Sequence, residues 1–266
     1  MDEYSRSNRS LWNEWTHVHA QSDFYQLDEF KAGKIVLNPL EREEVGDVAG
    51  KTLLHLQCHF GMDTLSWARL GAQVTGVDFS DEAIRLAQSL SKELNLPARF
   101  ICSDVYELDS VLQEQFDVVY TSYGVLCWLP DIPRWASTVA ARVKPGGFFY
   151  IAEFHPFANV LDDGSEEYRL RYPYFEKSAM KFDVEGSYAD RDARVESKVE
   201  YDWNHTLGEI VTSLIKAGLQ IEFLHEFPYS VYQQLPFLRP DGKGLWKPVE
   251  DPAMVPLMFS LRAGKP

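Results

Sequence analysis

Cysteine is scarce in this sequence, and basic residues are outnumbered by acidic ones. The 266 residues include three cysteines, Cys58, Cys102 and Cys127, an odd number that is too small for a disulfide framework in a chain of this size. We therefore expect reduced thiols. Lys and Arg number 26 against 40 Asp and Glu, a formal net charge of −14. This excess of negative charge disfavours nucleic acids and anionic membrane surfaces as partners.

Long hydrophobic runs and metal-binding patterns are also missing. The longest uncharged stretch, residues 118–130, is shorter than a membrane span and contains glycine and proline. The first residues are polar and do not have the apolar stretch of a signal peptide, so a cytoplasmic protein is expected. His17 and His19, like His55 and His59, occur as pairs without a third ligand, and no metal is expected.

The residues that are present have the composition of a folded globular chain, with 45% hydrophobic and 14% aromatic residues. The length fits a single domain with an insertion better than two independent domains. From residue 52 onward, short apolar runs alternate with helical patterns, which is typical of a parallel sheet covered by helices on both faces.

The pattern predicts strands and helices in strict alternation. Helices are predicted at residues 62–70 and at residues 132–143, where the second ends before the turn at 144–147. A further helix is predicted to begin after Ser80, which is its N-cap. Strands are predicted at residues 52–57, 73–79, 99–103, 116–121 and 148–154. This arrangement predicts an α/β, doubly wound, Rossmann-like fold.

The C-terminal part predicts how the sheet ends. A helix is expected at residues 205–217, closed by Gly218. Residues 219–227 and 255–262 are expected to form strands with only an irregular segment between them, which favours antiparallel pairing. The expected sheet is therefore seven-stranded and mostly parallel, with the last strand antiparallel.

Ligands of open parallel sheets bind outside the carboxyl ends of the strands, so those positions are the first candidates for a site. The segments there include VTGVDFS, CSDV, FDVVYTSYGVLCWLPD and VKPGGFFYIAEF. Over roughly residues 50–155, their order and spacing resemble class I S-adenosylmethionine-dependent methyltransferases. The resemblance implies S-adenosylmethionine as the cofactor and a small organic molecule as the methyl acceptor.

The resemblance also implies a set of cofactor-binding residues. In that family the loop after the first strand wraps the methionine part of the cofactor. An acidic residue at the end of the second strand holds the ribose hydroxyls, and an Asp after the third strand meets the adenine amine. The positions that correspond here, with their neighbours, are His55, Gln57, Cys58, Gly61, Asp63, Asp78, Phe79, Ser103, Asp104, Val105 and Thr121.

The first loop departs from the family pattern. His55 stands at the acidic position, and Gln57 and His59 stand at the first two glycine positions, so that only Gly61 is retained. Such a loop binds the cofactor if its backbone keeps ordinary angles and the cofactor sits slightly further out. Asp63 then offers a carboxylate to the cofactor's ammonium, or it only complements the helix dipole.

Methyl transfer needs alignment of the reactants, and a base only where the acceptor must lose a proton. His155 and His205 are the best-placed candidate bases, and Tyr123 is a candidate for orienting the acceptor. For each of the three, a purely structural role is the alternative.

The remaining segments are aromatic-rich and are expected to enclose the acceptor. Residues 1–45 are predicted to form a helical lid that includes Trp12 and Trp15, and residues 156–203 a β-rich insertion. Packing of the tryptophan helix on the domain is the alternative to a lid. Residues 228–246 would complete the pocket for an organic molecule. The assembly is expected to be a monomer or a homodimer.

Two other functions fit parts of the sequence. A non-catalytic or regulatory protein that binds S-adenosylmethionine is favoured by the altered first loop. A dinucleotide-dependent oxidoreductase is disfavoured, because the GxGxxG motif is missing and the chain ends in an antiparallel pair of strands.

Overall fold

The computed structural model of the chain describes residues 2–250 and 254–266. The strands, numbered in chain order, are β1 (Thr52–Leu56), β2 (Gln73–Asp78), β3 (Ala98–Cys102), β4 (Phe116–Ser122), β5 (Val143–Phe154), β6 (Met180–Asp183), β7 (Val199–Asp202), β8 (Gln220–Phe227), β9 (Leu238–Pro240), β10 (Trp246–Pro248) and β11 (Met258–Gly264). The α-helices are α1 (Glu3–Gln21), α2 (Leu27–Lys31), α3 (Pro39–Val45), α4 (Met62–Arg69), α5 (Asp81–Glu93), α6 (Ile132–Arg142) and α7 (Leu207–Lys216).

The central sheet has seven strands in the order β3-β2-β1-β4-β5-β11-β8. Strands β1 to β5 pair in parallel. β11 pairs antiparallel with both β5 and β8. The predicted mostly parallel sheet with an antiparallel last strand is confirmed. Because the strand order reverses between β1 and β4, a crevice opens at their carboxyl ends.

Apolar side chains cover both faces of the sheet, as the near-continuous apolar runs of the strands require. On one face, Trp135 of α6 and Leu214 of α7 pack in a cluster with Leu54 of β1. On the other face, Trp67 of α4 packs with Leu53 of β1. Successive residues of one strand thus pack on opposite faces of the sheet. Because both faces are buried, the sheet holds the ends of its strands in fixed positions.

Three local predictions need correction. The helix predicted from residue 205 begins at Leu207, because Thr206 is the N-cap and accepts the Glu209 N–H at 3.1 Å. The turn predicted at residues 144–147 is part of β5, where a shift of register opposite Phe116–Val118 absorbs the extra residues. The segment predicted as irregular contains β9 and β10, which pair antiparallel but are too short to show a periodic pattern.

The insertion at residues 156–203 contains the short 3-10 helix Ala158–Val160 and one ribbon, formed by the two short strands β6 and β7, and otherwise loops. Helix α1 packs against this ribbon and against α5. The Asn8 side chain bonds the Tyr201 backbone, donating to its carbonyl at 2.7 Å and accepting its N–H at 2.9 Å. Arg9 and Asn13 both contact Asp81 at 2.9 Å. Helix α1 therefore joins the insertion to the sheet layer. Within the described residues, every helix is too short or too polar to span a lipid bilayer.

Candidate active site

A cavity of about 1390 Å³ lies at the carboxyl ends of the parallel strands. Its volume exceeds the roughly 300–1,000 Å³ of a pocket for one small ligand, so it can hold two molecules side by side. The predicted residues that line it are His55, Gln57, Cys58, Gly61, Asp63, Asp78, Phe79, Ser103, Asp104, Val105 and Tyr123. The structure thus brings most of the predicted site together in one space.

The loop after β1 does not keep ordinary backbone angles, so the condition considered for a bulky loop is not met; the loop instead adopts the angles that glycines would allow. Its φ values are positive at Gln57 (57°), His59 (49°) and Gly61 (80°), three alternate positions in the left-handed region. This conformation is costly for residues with a Cβ, by about 1–2 kcal/mol each. Hydrogen bonds from Cys58 N to the Val77 carbonyl at 2.9 Å and within the loop hold it in place.

The side chains that replace the two glycines tie the loop to its surroundings. Gln57 Nε2 donates to the Val125 carbonyl at 3.0 Å, which links the loop to the segment after β4. His59 Nε2 lies 2.9 Å from His19 Nδ1 on helix α1, and its ring packs against Trp12. Burial lowers the pKa of His19 to about 3 and that of His59 well below its usual range. Both rings are therefore neutral at pH 7, and one donates its single N–H to the other.

The positive φ of His59 predicts that glycine at this position gives a more stable protein than alanine does. Both His59→Gly and His59→Ala lose the ring and its bond to His19, but only alanine keeps a Cβ at positive φ. We expect the glycine variant to be more stable than the alanine variant by about 1 kcal/mol, the reverse of the usual order. Urea unfolding of the two variants measures the difference. A more stable alanine variant would contradict the left-handed conformation.

Asp78 ends β2 and connects the second strand to the first loop. Its Oδ2 accepts the His59 backbone N–H and its Oδ1 accepts the Ser80 N–H, both at 2.8 Å. Burial raises its pKa to about 6, with the backbone hydrogen bonds opposing that rise, so the carboxylate is ionised at pH 7. Each oxygen keeps a further lone pair, so Asp78 can also accept two hydroxyl groups from a ligand in the cavity.

Asp104 follows β3 and lines the same side of the cavity. Its Oδ1 accepts the Tyr106 N–H at 2.9 Å and so caps the short 3-10 helix Val105–Ser110. The neighbouring Ser103 hydroxyl donates to the Asp104 carbonyl at 3.0 Å. One carboxylate oxygen thus fixes the backbone, while the other has no hydrogen bond from the described residues and is open to a ligand amine.

Asp63 is at the start of α4 and shares its environment with a second acid. The Ser122 hydroxyl donates to Asp63 Oδ2 at 3.3 Å, and restricted access to water raises the Asp63 pKa to about 6. Glu41 of α3 is buried nearby and accepts hydrogen bonds from Asn38 N and the Tyr120 hydroxyl. Its own burial, and then the charge of Asp63, raise the Glu41 pKa to about 7. Neither acid forms an ion pair with any described residue, so a ligand ammonium would be favoured beside them.

Sequence reasoning assigned no role to Glu153, although it organises the far side of the cavity. This buried carboxylate at the end of β5 accepts the N–H groups of Gly124, Val125 (2.8 Å) and Leu126 (3.1 Å). It thereby fixes the loop after β4, where Tyr123 turns into the cavity with a φ of 38°. The signal in the sequence was an acidic residue at the end of an apolar strand.

Three predicted residues do not line the cavity. His155 is buried with its Nε2 2.9 Å from Glu226, because the chain after β5 turns toward Leu257 and away from the cavity. His205 Nε2 lies 2.6 Å from the Leu129 carbonyl, in front of α7. Thr121 donates to the Leu56 carbonyl at 3.0 Å, inside the sheet. All three side chains have structural partners, so neither histidine is placed to act as a base on a ligand in the cavity.

Aromatic side chains from distant segments close the cavity above the strand ends. Trp12 of α1 lines it, with ring centroids 5.1 Å from His59 and 5.3 Å from Trp128. Trp15 lies behind Trp12 and donates its indole N–H to the Gly186 carbonyl at 2.8 Å. Further aromatic rings of the lining belong to Tyr25, Phe154, Tyr172, Phe182, Tyr188, Tyr232 and Trp246. Among residues 2–250 and 254–266, no three His, Cys, Asp or Glu side chains form a metal-binding group.

The chain is similar to known methyltransferases by sequence and by fold. The family model described as "Methyltransferase domain" matches residues 54–151. The ubiquinone biosynthesis O-methyltransferase of Chromobacterium violaceum is 28% identical over 185 residues, covering 63% of this chain and 74% of that protein. Its counterpart in Proteus mirabilis is 29% identical over 154 residues, and the match covers 52% of this chain and 62% of that protein, less than two thirds.

A solved structure has the same fold at low sequence identity. The S-adenosylmethionine-dependent methyltransferase of Mesorhizobium loti superposes with a TM-score of 0.58 at 20% identity. The superposition covers 88% of this chain and 99% of that chain. The shared architecture therefore extends well beyond residues 54–151.

Proposed function

We propose that this chain is a class I S-adenosylmethionine-dependent methyltransferase, which transfers the methyl group of S-adenosylmethionine to a small organic acceptor; the matched methyltransferase domain and the similar curated proteins support this proposal. The observation that carries the proposal is the large cavity of the described residues, which joins the loops after β1, β2 and β3 to an aromatic chamber. One half offers polar groups in the order that a nucleoside and an amino acid require. The other half offers apolar walls to an organic acceptor.

The residues present fit the cofactor. Asp78 has free lone pairs for two vicinal hydroxyls, and Phe79 beside it offers a ring face to adenine. Asp104 has an oxygen free for the adenine amine. Asp63, with Glu41 behind it, offers negative charge to the ammonium of the methionine part. When bound, S-adenosylmethionine supplies a methyl group on a positively charged sulfur.

The chain itself contributes alignment and exclusion of water. The left-handed loop and the Glu153-held loop fix the two sides of the cavity, so that two ligands meet in one orientation. Trp12 and Trp128 cover the space above them. Tyr123 lines the chamber, and burial raises the pKa of its phenol well above the usual range. A neutral phenol at this position can donate a hydrogen bond that orients the acceptor.

The non-catalytic alternative loses its main support. That alternative rested on Gln57 and His59 at glycine positions, but the backbone there has left-handed φ values nonetheless. An oxidoreductase is likewise without a supporting feature, because the sheet ends in the antiparallel pair of β8 and β11.

Transfer of a labelled methyl group tests the proposal. The purified protein is incubated with methyl-labelled S-adenosylmethionine and a panel of phenols and amines, since the similar curated proteins are named O-methyltransferases. We expect labelled product and an equal amount of S-adenosylhomocysteine with at least one acceptor. Tight binding of S-adenosylmethionine in calorimetry, with no product from any acceptor, would contradict an enzyme and favour a binding protein.

The cellular compartment and the oligomeric state of the protein are predicted from its cysteines, charge and size. The three cysteines are free thiols, which favours a reducing compartment such as the cytoplasm. A monomer or homodimer without nucleic acid remains the expectation from charge and size, and size-exclusion chromatography with light scattering measures the assembly.

A further inference from the structure

The ribbon of β6 and β7 presents two carboxylates to the cavity. In the antiparallel register, Phe182 lies opposite Glu200 and Met180 lies opposite Asp202. Because alternate residues of a strand face the same side, these four side chains share one face, and all four line the cavity. The residue between the two acids, Tyr201, faces helix α1, where its ring packs 4.8 Å from that of Tyr4. Strand alternation thus turns both acids inward.

Neither inward-facing carboxylate has a counter-charge. Asp202 Oδ1 is enclosed by protein, closed to solvent, and accepts no hydrogen bond. No ion pair within the described part of the chain involves Glu200 or Asp202. The other acids that the insertion places at the cavity are paired, Asp163 with Arg171 at 3.0 Å and Glu166 with Arg239 at 2.9 Å.

The cations that line the cavity do not compensate the pair. Lys34 is bonded to Glu29 at 2.7 Å on the other side of the cavity. Arg191 lies near Tyr232 and forms no ion pair with either carboxylate. As a result, burial and the charge of Asp163 raise the pKa of Glu200 to about 7. Burial and the charge of Glu200 raise the pKa of Asp202 well above its usual range.

Two neighbouring half-buried acids without a partner destabilise a folded chain, because desolvation of each charge costs free energy that no opposite charge returns. A bound cation would remove that cost. The surrounding walls suit an organic cation, because the Phe182 and Tyr172 rings, 5.5 Å apart, stand beside the acids.

The pair also lies on the acceptor side of the cavity. The residue after Asp202, Trp203, donates its backbone N–H to the Cys127 carbonyl at 2.8 Å. Cys127 belongs to the loop after β4, which Glu153 holds. The first loop and Asp78, by contrast, belong to the ends of β1 and β2.

We propose that the methyl acceptor carries a protonated nitrogen, and that Glu200 and Asp202 are the specificity-determining residues that bind it. The inference rests on the proposed function and names its substrate class: a small aromatic or aliphatic molecule with an ammonium group. That group is the recognition element, whichever atom of the molecule receives the methyl group.

A charge series of one molecular shape tests the inference. Tyramine, its neutral alcohol analogue tyrosol and the anionic 3-(4-hydroxyphenyl)propionate are titrated calorimetrically into protein saturated with S-adenosylhomocysteine. We expect tyramine to bind at least about tenfold more tightly than tyrosol, the contribution of one hydrogen bond to a charged group, and the anion to bind most weakly. Equal affinities, or no binding of tyramine, would overturn the inference.

Matched variants locate the effect. Asp202→Asn and Glu200→Gln should each remove the preference for tyramine over tyrosol. Asp183→Asn makes the same change of charge on the outer, exposed face of the ribbon and should leave the preference intact. At pH 8, Asp202→Asn should also leave the melting temperature of the ligand-free protein unchanged or raise it, because a desolvated carboxyl group that has no partner is removed. A lowered melting temperature, or an equal loss in Asp183→Asn, would indicate a structural role and contradict the inference.

The two acids could instead bind the cofactor, because the sulfur of S-adenosylmethionine also carries a positive charge. Binding of the charged cofactor and of its neutral product distinguishes the two roles. If Asp202→Asn weakens binding of S-adenosylmethionine but not of S-adenosylhomocysteine, the acids serve the cofactor and the inference is wrong. If the wild-type protein fails to bind S-adenosylhomocysteine, the proposed function fails instead. The amine series is then titrated into the protein alone, with the same expected order of affinities.

Discussion

Asp78→Ala should weaken binding of S-adenosylmethionine by about 2–3 kcal/mol, roughly a hundredfold. The carboxylate offers acceptors for two ligand hydroxyls, and it also accepts the backbone N–H groups of His59 and Ser80. Alanine therefore removes the ribose acceptor and leaves two backbone donors without a partner beside the cavity. Isothermal calorimetry with S-adenosylmethionine and with S-adenosylhomocysteine measures the loss.

Two further variants separate these contributions. Asp78→Asn keeps the shape and one acceptor oxygen, so its affinity should lie between those of the wild type and Asp78→Ala. Asp104→Ala should cost less, about 1 kcal/mol, because adenine keeps its stacking and loses only the hydrogen bond of its amine, together with the cap on Tyr106. A folded Asp78→Ala protein with unchanged affinity would show that the ribose binds elsewhere. A larger loss in Asp104→Ala would reverse the order of the two sites.

Deletion of residues 1–25 should leave a folded sheet and lower methyl transfer by about a hundredfold or more. Helix α1 adds no strand to the sheet, so the core between the sheet and α4 to α7 persists. The deletion removes Trp12 from the cavity wall and removes His19, the partner of His59. It also removes Asn8, which holds the ribbon of β6 and β7 through Tyr201. Circular dichroism and the labelled-methyl assay measure fold and transfer separately.

Point variants of α1 distinguish a cover over the cavity from simple packing. Trp12→Ala in the full chain opens the cavity wall and should lower transfer more than it lowers the melting temperature. Ser10→Ala, on the exposed side of the same helix, should change neither. If the deleted protein melts at a lower temperature but its folded fraction keeps full activity and cofactor affinity, α1 only stabilises the domain.

The succession of strands along the chain, and the position of Asp78 and Asp104 in the cavity wall, were predictable because their signals are local. Each parallel strand is a short apolar run, and parallel strands bring their carboxyl ends to one edge of the sheet. Asp78 and Asp104 end β2 and follow β3, and this placement alone puts both in the cavity wall. The antiparallel ending was equally predictable, since no helix could connect the last two strands.

The histidines show where local signals end. His155 follows β5 and His205 precedes α7. From the sequence alone, both positions suggest catalytic residues. Their rings instead contact Glu226 and the Leu129 carbonyl, because the direction of a side chain after a strand or before a helix depends on what packs around it. Glu153 is the converse case, since only the folded loop after β4 gives its carboxylate three N–H partners.

The sequence by itself determined the strands of the sheet, the parallel pairing of the first five and the antiparallel pairing of the last two. It also determined the acids at the ends of β2 and β3, because strand periodicity and chain order are enough to place them. Only the tertiary structure decided the left-handed angles at Gln57 and His59, which hydrogen bonds from neighbouring strands impose against the preference of those residues. It also decided that Glu200 and Asp202 face the cavity. Their direction follows from the pairing of β7 with β6 and its packing on α1, and both contacts join parts of the chain that are far apart in sequence.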